Sequence, residues 1–320
     1  MKMLKRRVIE LTTILVGATV LSGCGGGGGG GDPLQAALLL IADYADNNTN
    51  PVPDTLDYQD AGIMGVSMDN LSAVNAMIDR GIRNEFDTQN EIQDMVDRIG
   101  PKAVPDPNFA AGHEFIYGVV TNPVTHRTWI NNNLGARYAN VNDASFDPQQ
   151  QATSPTDFLA TGFLYQWGRK ADGHEVIIRT GVSTPQFGTT VVKENNPAHS
   201  LFIKSSGDWR VTEDNTLWAN DASDNNICPL GFRVPTKAEF ITERDSWVSS
   251  NAAGAIASNE AWSKTGFRWD TSGLMGAENF GIYWTKDASG TDADYFYFDA
   301  GASIVPASKA FAMAIRCIKN

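Results

Sequence analysis

Four histidines, three cysteines and a few stretches crowded with polar side chains are the residues of this chain equipped for chemistry. The histidines (His113, His126, His174 and His199) stand in no nucleophile–base pattern, and neither a G-x-S-x-G elbow nor an H-E-x-x-H zinc motif occurs. Asp172-Gly173-His174-Glu175 sets one imidazole beside carboxylates, a weak metal pattern, because Asp-Gly is first of all a turn signal. NDASDNN (220–226) and DASGTDAD (287–294) are rich in oxygen ligands but lack EF-hand spacing. No metal site or cofactor is therefore expected, with calcium at these polar loops the one exception worth testing. Catalysis has little support, and the reading is of a non-enzyme.

Recognition residues are easier to nominate. In YQWGR (165–169), Tyr165 and Trp167 alternate with Gln166, Gly168 turns, and Arg169 is placed to pair with a nearby acid. In CPLGFRVPT (228–236), Pro229 and Pro235 limit the backbone, and Gly231 permits a turn. Arg233 alternates there with the apolar Phe232 and Val234, and the whole reads as a pinned strand-to-helix corner. Trp129, Trp167, Trp209, Trp218 and Trp284 each bring a large apolar area and one N–H that needs a partner, which favours the core for most of them. Trp167, Arg169, Arg233 and Trp284 are the candidate ligand contacts.

The chain start carries a different chemistry. Lys2, Lys5, Arg6 and Arg7 precede a short apolar run, LTTILVGATVL, that ends in L-S-G-C at Cys24. The run is too short for a comfortable permanent span. The pattern resembles the lipobox of bacterial lipoproteins, which implies cleavage before Cys24, a diacylglyceryl group on its thiol and acylation of the new amino terminus. One acyl chain anchors only marginally, whereas three hold essentially permanently. Seven glycines follow as a random-coil tether, residues 24–33 including Asp32-Pro33. They lack the preceding strand, following helix and Lys-Ser/Thr of a phosphate-cradling loop. Gly25 after the cysteine, by analogy with Gram-negative sorting, permits outer-membrane delivery, on a face the sequence leaves open.

Composition fits an anchored, exported chain. Of 320 residues 42% are hydrophobic, enough for a core, and no second apolar stretch is long enough to span. The formal net charge is −12, and removing residues 1–23, with four basic residues and one acid, takes it to near −15. That balance argues against nucleic acid and against adhesion to anionic lipid by charge. With Cys24 lipidated, Cys228 and Cys317 remain, and two thiols in an oxidising compartment suggest one disulfide. It closes a loop of about 90 residues and contributes roughly 4–5 kcal/mol in the chain-entropy model. Two free buried thiols, or a two-cysteine metal or redox site, are the alternatives.

The elements that must position these residues fall into two textures. Residues 34–99 read as a small helical bundle. Leu38, Ile41 and Ala45 share one helical face; Asp54 caps a short helix from Thr55 to about Ala61; Ser67 caps a helix with Leu71, Val74 and Ile78 on one face and Gly81 at its stop. Thr88 and Glu91 form a capping box ahead of Ile92, Val96 and Ile99. Residues 100–112 hold three prolines and read as a semi-rigid connector. From 113 to 320 the chain predicts short strands (FIYGVV, RTWI, FLYQWGR, EVIIRT, DYFYFD) and a helix over TKAEFITERDSWVSSN, capped by Thr236 and Glu239. The fold class is α+β, a helical bundle followed by a loop-rich domain with short antiparallel strands and one or two helices.

Ordered motifs sharpen that picture. DTLDYQDAGIMGVSMDNLSAVNAMI followed by TQNEIQDMV resembles a small helical module that recurs in bacterial surface proteins as a spacer or adhesive stalk unit. YGVVTNPVTHRTWINNNLGA, YQWGRKADGHE, DWR, LW, CPLGFRVPTKAEF, YWT and AIRCIKN resemble, in order over roughly 113–320, the Fibrobacter succinogenes major paralogous domain. The resemblance implies a C-type-lectin-like fold, related to formylglycine-generating enzymes, on an exported lipoprotein. Cys228 and Cys317 match the family's cysteine positions, which supports pairing them. Two departures stand out: in Asn131-Asn132-Asn133 two amides replace the acid–base pair of the family's W-x-D-R-N-L-G-A, and Lys286 replaces a small residue. The expectation is an outer-membrane lipoprotein displaying a non-catalytic recognition domain for a glycan or protein ligand. A purely structural envelope component is the alternative, and an enzyme on the formylglycine-generating scaffold the least supported.

Overall fold

A computed structural model of the chain describes residues 32–46, 51–81, 85–108, 114–180, 182–185, 187–269, 276 and 279–320. The stretch read as a signal, Cys24 and the glycine run lie outside the described residues, as does His113. No described helix is long and apolar enough to cross a membrane.

Four helices open the described chain: α1 (Pro33–Asp46), α2 (Thr55–Asp60), α3 (Leu71–Arg80) and α4 (Gln89–Ile99). The stripes read from the sequence are the buried ones except at Leu71, which is only partly buried. Leu38, Ile41, Ala45, Val74, Ile78, Ile92, Val96 and Ile99 share one apolar cluster with Tyr58. Capping boxes start α2 and α4: Asp54 with Asp57, and Thr88 with Glu91. Helix α3 differs from expectation. It begins at Leu71 with Asn70 before it, not at Ser67. The fully buried Asn70 side chain donates to the carbonyls of Gly65 and Gly100 and accepts from the Ser67 N–H, so residues 67–70 form a turn.

The stretch read as a connector is in part a strand. Strand β1 (Ala103–Asp106) pairs antiparallel with β2 (Phe115–Thr121), placing Pro105 opposite Ile116. A proline is tolerated there because β1 is the sheet edge. Ala103 and Ile116 join the helical cluster, so the helices pack directly on this sheet. The strands that follow are β3 (Thr128–Ile130), β4 (Tyr165–Gln166), β5 (Ile177–Thr180), β6 (Val182–Pro185), β7 (Thr189–Thr190), β8 (Phe202–Ile203) and β9 (Phe232–Arg233). Helices α5 (Lys237–Asp245) and α6 (Ala252–Ala257) come next, then β10 (Gly281–Ser289), β11 (Asp292–Phe298), β12 (Ala302–Ser308), β13 (Ala312–Met313) and β14 (Ile318–Lys319). The main sheet runs β1-β2-β3-β14-β9, beside a three-stranded meander β10-β11-β12 and two-stranded pairs β13-β4, β5-β6 and β7-β8. All pairings are antiparallel except β7 with β8.

The protein is thus mixed α and β, rich in loops. Two expected elements are shorter than their patterns. Helix α5 keeps its Thr236–Glu239 capping box but ends at Asp245, where Ser246 Oγ donates to the Glu243 carbonyl and Trp247 turns into the core. FLYQWGR contributes only Tyr165 and Gln166 to a strand. Cys228 and Cys317 are disulfide-bonded, Cα to Cα 5.9 Å, tying the turn before β9 to the residue that precedes β14. The bond lies within the main core, beside Tyr117, Trp167 and Trp284.

Candidate functional site

Arg169 organises the most elaborate polar network of the domain. Its guanidinium is fully buried: Nε donates to Asp172 Oδ2 (2.8 Å), Nη1 to Gln166 Oε1 and the Leu201 carbonyl, and Nη2 to the His199 carbonyl. Gln166 extends the staple, donating to the carbonyls of Ile203 and Ala310 and accepting from the Ile203 N–H. YQWGR therefore binds the loop carrying His199 to β4, a role that loops require because their backbone groups lack ladder partners.

The DGHE turn lies against this network. His174 Nε2 accepts the Gln166 backbone N–H (3.0 Å), so Nδ1 carries the ring proton and donates to Asp172 Oδ1 (2.8 Å). Burial, then the neighbouring Arg169 charge, pulls His174 down to about 4, and the ring is neutral at pH 7. Burial also pushes Glu175 up to about 7, with the Asp172 charge adding to it. Burial favours a neutral Asp172 too, but His174 and Arg169 outweigh it and hold that carboxyl below the usual range. Ligand atoms of Asp172, His174 and Glu175 lie within 4.8 Å of one another, and among the described residues they are the one set of three or more His, Cys, Asp or Glu so placed. A metal there would have to displace the Nδ1 proton and compete with Arg169 for Asp172. Three carboxylates of the polar loops proposed for calcium have partners in the protein. Asp287 accepts the Lys237 backbone N–H, Asp294 pairs with Lys237 Nζ, and Asp221 accepts from Asn320.

Above the buried network is a groove. A cavity of about 260 Å³ is lined by Arg169, Lys170, Asp172, Asn195, Asn196, Pro197, Trp209 and Asn225. A second cavity of about 350 Å³ shares Asn196 and Asn225 with it and adds Arg210, Asp214, Thr216 and Asp224. Its walls combine carboxamides, carboxylates, hydroxyls and cationic groups with the apolar Pro197, Trp209 and Leu217. Some of these are already fixed: Asn225 Nδ2 donates to the Gly168 carbonyl, and Asn195 exchanges bonds with Thr212. Trp209 is held from behind, its Nε1 on the Trp167 carbonyl (2.7 Å), with Arg169 and Arg210 near its ring.

No family model, curated protein or solved structure gives a match to this chain.

Of the four residues read as ligand contacts, Arg169 alone lines this groove. Trp167 and Trp284 are fully buried, with their N–H groups on the carbonyls of Thr285 and Tyr165, so neither ring face is offered to a ligand. Lys309 Nζ, itself fully buried, sits 4.8 Å from the Trp167 ring centre. Arg233 is engaged in a two-pronged bond to Glu239 (2.8 and 2.6 Å) that locks the strand-to-helix corner. The other tryptophans are also interior except Trp269, which is 48% exposed. Trp209 and Trp247 find partners for their N–H groups, whereas those of Trp129, Trp218 and Trp262 have none. The asparagine run is structural: Asn131 and Asn132 donate to the carbonyls of Pro148 and Gln150, and Asn133 bridges Thr161, Tyr283 and Arg316. Lys286 reaches the Ala219 carbonyl.

One constellation escaped the sequence. Asn122, in the turn between β2 and β3, donates to both Glu243 and Glu260. Burial, then the nearby Glu243, drive the Glu260 carboxyl far above its usual range. Glu243 lies on α5 and Glu260 beyond α6, and only tertiary packing brings them together. The neighbouring Ala261 adopts φ 47, unusual for a residue with a Cβ, next to the Arg316–Glu260 backbone contact.

Proposed function

We propose that this protein is a lipid-anchored component of the bacterial cell envelope whose C-terminal domain is a non-catalytic recognition module, and that the groove beside Arg169 takes a glycan. On this reading Cys24 carries the lipid, the glycines give slack, the helices lift the domain from an outer membrane, and the domain has the lectin-like character that the Fibrobacter resemblance implies. The supporting observation is the groove itself. Its two adjoining cavities are lined mainly by polar side chains, Asn195, Asn196, Asn225, Asp172, Arg210 and Asp224 among them. Such an array of donors and acceptors matches the hydroxyl groups of a sugar. The Cys228–Cys317 bond also leaves neither sulfur as a thiol, so the pair offers no free nucleophile.

The direct test is a glycan array probed with the full chain in detergent, with and without calcium. Binding to a glycan class, undiminished by chelator, is the expected result. Failure to bind any glycan overturns the glycan assignment. Metabolic labelling with palmitate tests the anchor: wild type incorporates label and Cys24→Ser does not, whereas equal labelling of both refutes it.

A further inference from the structure

Lys309, at the corner between β12 and β13, keeps its whole side chain out of solvent. Its Nζ donates to Asn215 Oδ1 (2.6 Å), to the Gly290 carbonyl (2.7 Å) and to the Asp214 carbonyl (3.3 Å). The buried Asp208 carboxyl lies beside the same nitrogen, with Oδ2 at 3.5 Å. That oxygen has no hydrogen-bond partner, while Oδ1 accepts the Arg210 N–H. A buried ammonium and carboxylate recover their desolvation cost only through close, well-aimed bonds, and this pair is too far apart for one. Burial lowers the Lys309 amine and raises the Asp208 carboxyl, so both groups are pushed toward their neutral forms. A desolvated, neutral lysine is a nucleophile. The 2.6 Å contact puts Nζ at most about 3.8 Å from Asn215 Cγ, since a C=O bond adds about 1.2 Å. That is near the separation at which reacting atoms meet. Other lysines meet a carboxylate or a backbone carbonyl instead: Lys237 meets Asp294, Lys264 meets Asp299, and Lys286 meets the Ala219 carbonyl.

From the burial of Lys309, its contact with a side-chain carboxamide and the unbonded acid beside it, we infer that Lys309 Nζ and Asn215 Cγ become joined by an isopeptide bond after folding, with Asp208 carrying the protons. The ammonium first yields a proton to Asp208. The free amine attacks Cγ, and the carbonyl electron pair moves onto Oδ1. As the carbonyl re-forms, the Cγ–Nδ2 bond breaks; Nδ2 takes a proton given up by Nζ and relayed by Asp208, and leaves as ammonia. One amide replaces another, so no oxidant or other co-reactant is needed. A secondary amide and a protonated Asp208 remain, two neutral groups in place of two buried charges. Asn215 is exposed, which gives the ammonia a way out. The Gly290 and Asp214 carbonyls accept from the same nitrogen, but attack on either would have to cut the chain. Asn215 lies between Asp214 and Thr216 of the groove wall, so the bond would pin that wall to the β12–β13 corner. The inference does not depend on what the groove binds.

The test is peptide mass spectrometry on the full chain, purified in detergent, then reduced, alkylated and digested with trypsin. An acylated Lys309 resists cleavage. The expected wild-type product is residues 211–233 joined to residues 287–316, at the sum of the two peptide masses less one ammonia, with fragment ions that place the link at Asn215 and Lys309. Asn215→Ala and Asp208→Asn should lose the linked product and yield 287–309 and 310–316 as separate peptides. Thermal unfolding confirms that each variant is folded, and the wild-type digest is decisive without them. Separate 287–309 and 310–316 peptides from wild type, with Asn215 unmodified, overturn the inference. So does a link that persists in Asn215→Ala, or one undiminished in Asp208→Asn.

Discussion

Among the described residues of the helical module, Asn70 and Asn75 are the buried polar side chains, and the rest of its interior is apolar. In the loop-rich domain the buried set includes Gln166, Arg169, His174, Glu175, Glu243, Glu260, Lys309 and Arg316. The contrast follows from the backbone. A helix bonds its own peptide groups, so its interior needs only an apolar stripe and its ends need caps. A chain of turns and two-residue strands leaves carbonyls without ladder partners, and side chains must reach in to satisfy them. Gln166, with the carbonyls of Ile203 and Ala310, and Lys309, with that of Gly290, do this in the domain. Asn70 and Asn75 do it in the module only where helices are joined, at Gly65, Gly100 and Pro53.

The contrast can be broken at four points. Replacing Cys228 and Cys317 by serine frees a loop spanning a sequence separation of 89 residues and should lower stability by about 4–5 kcal/mol in urea unfolding. A loss below about 1 kcal/mol would mean that the polar network alone holds the domain. Gln166→Leu strands two carbonyls, the Ile203 N–H and one N–H of Arg169 in the interior, with an expected loss of roughly 3–5 kcal/mol; a neutral result would show that the loops do not depend on it.

Glu239 gives the pH-dependent case. Its carboxyl is only 11% exposed. Burial alone would raise it, but Arg233 and the Thr236 cap outweigh that and pull it down to about 2. A depressed carboxylate stabilises the fold above its unfolded value, near 4.5, and that contribution disappears as pH falls from about 4.5 to 2. Glu239→Gln should therefore lose about 3 kcal/mol at pH 7 and match wild type near pH 2. A deficit that persists unchanged in acid would assign the effect to packing. Smallest is the module's own device: Asp54→Ala, which removes a helix cap, should cost about 1 kcal/mol in thermal unfolding. A loss as large as that of Gln166→Leu would erase the difference between the two regions.

The same physics sets what could be read without coordinates. Periodic elements announce themselves, and the stripe residues Ile41, Val74 and Ile92 are fully buried. Capping boxes at Thr88 and Thr236 are local and hold as read. The start of α3 was hidden because Asn70 is set by Gly100, thirty residues away. Strand β1 was hidden by its proline, Pro105, which an edge tolerates. At the candidate site, Arg169 was read as able to pair with a nearby acid, and Asp172 is that acid. The groove's other walls, and the Glu243–Glu260 pair, come from segments with no common local pattern.

Recognition by the groove is the claim on which the functional account turns. The most direct measurement is one glycan array probed side by side with wild type and with Asn196→Trp. Asn196 is an exposed residue of both groove cavities, so a tryptophan there blocks the groove without disturbing the core. The account predicts glycan binding by wild type and its loss in Asn196→Trp. Binding by no form of the chain, or equal binding by Asn196→Trp, would contradict it.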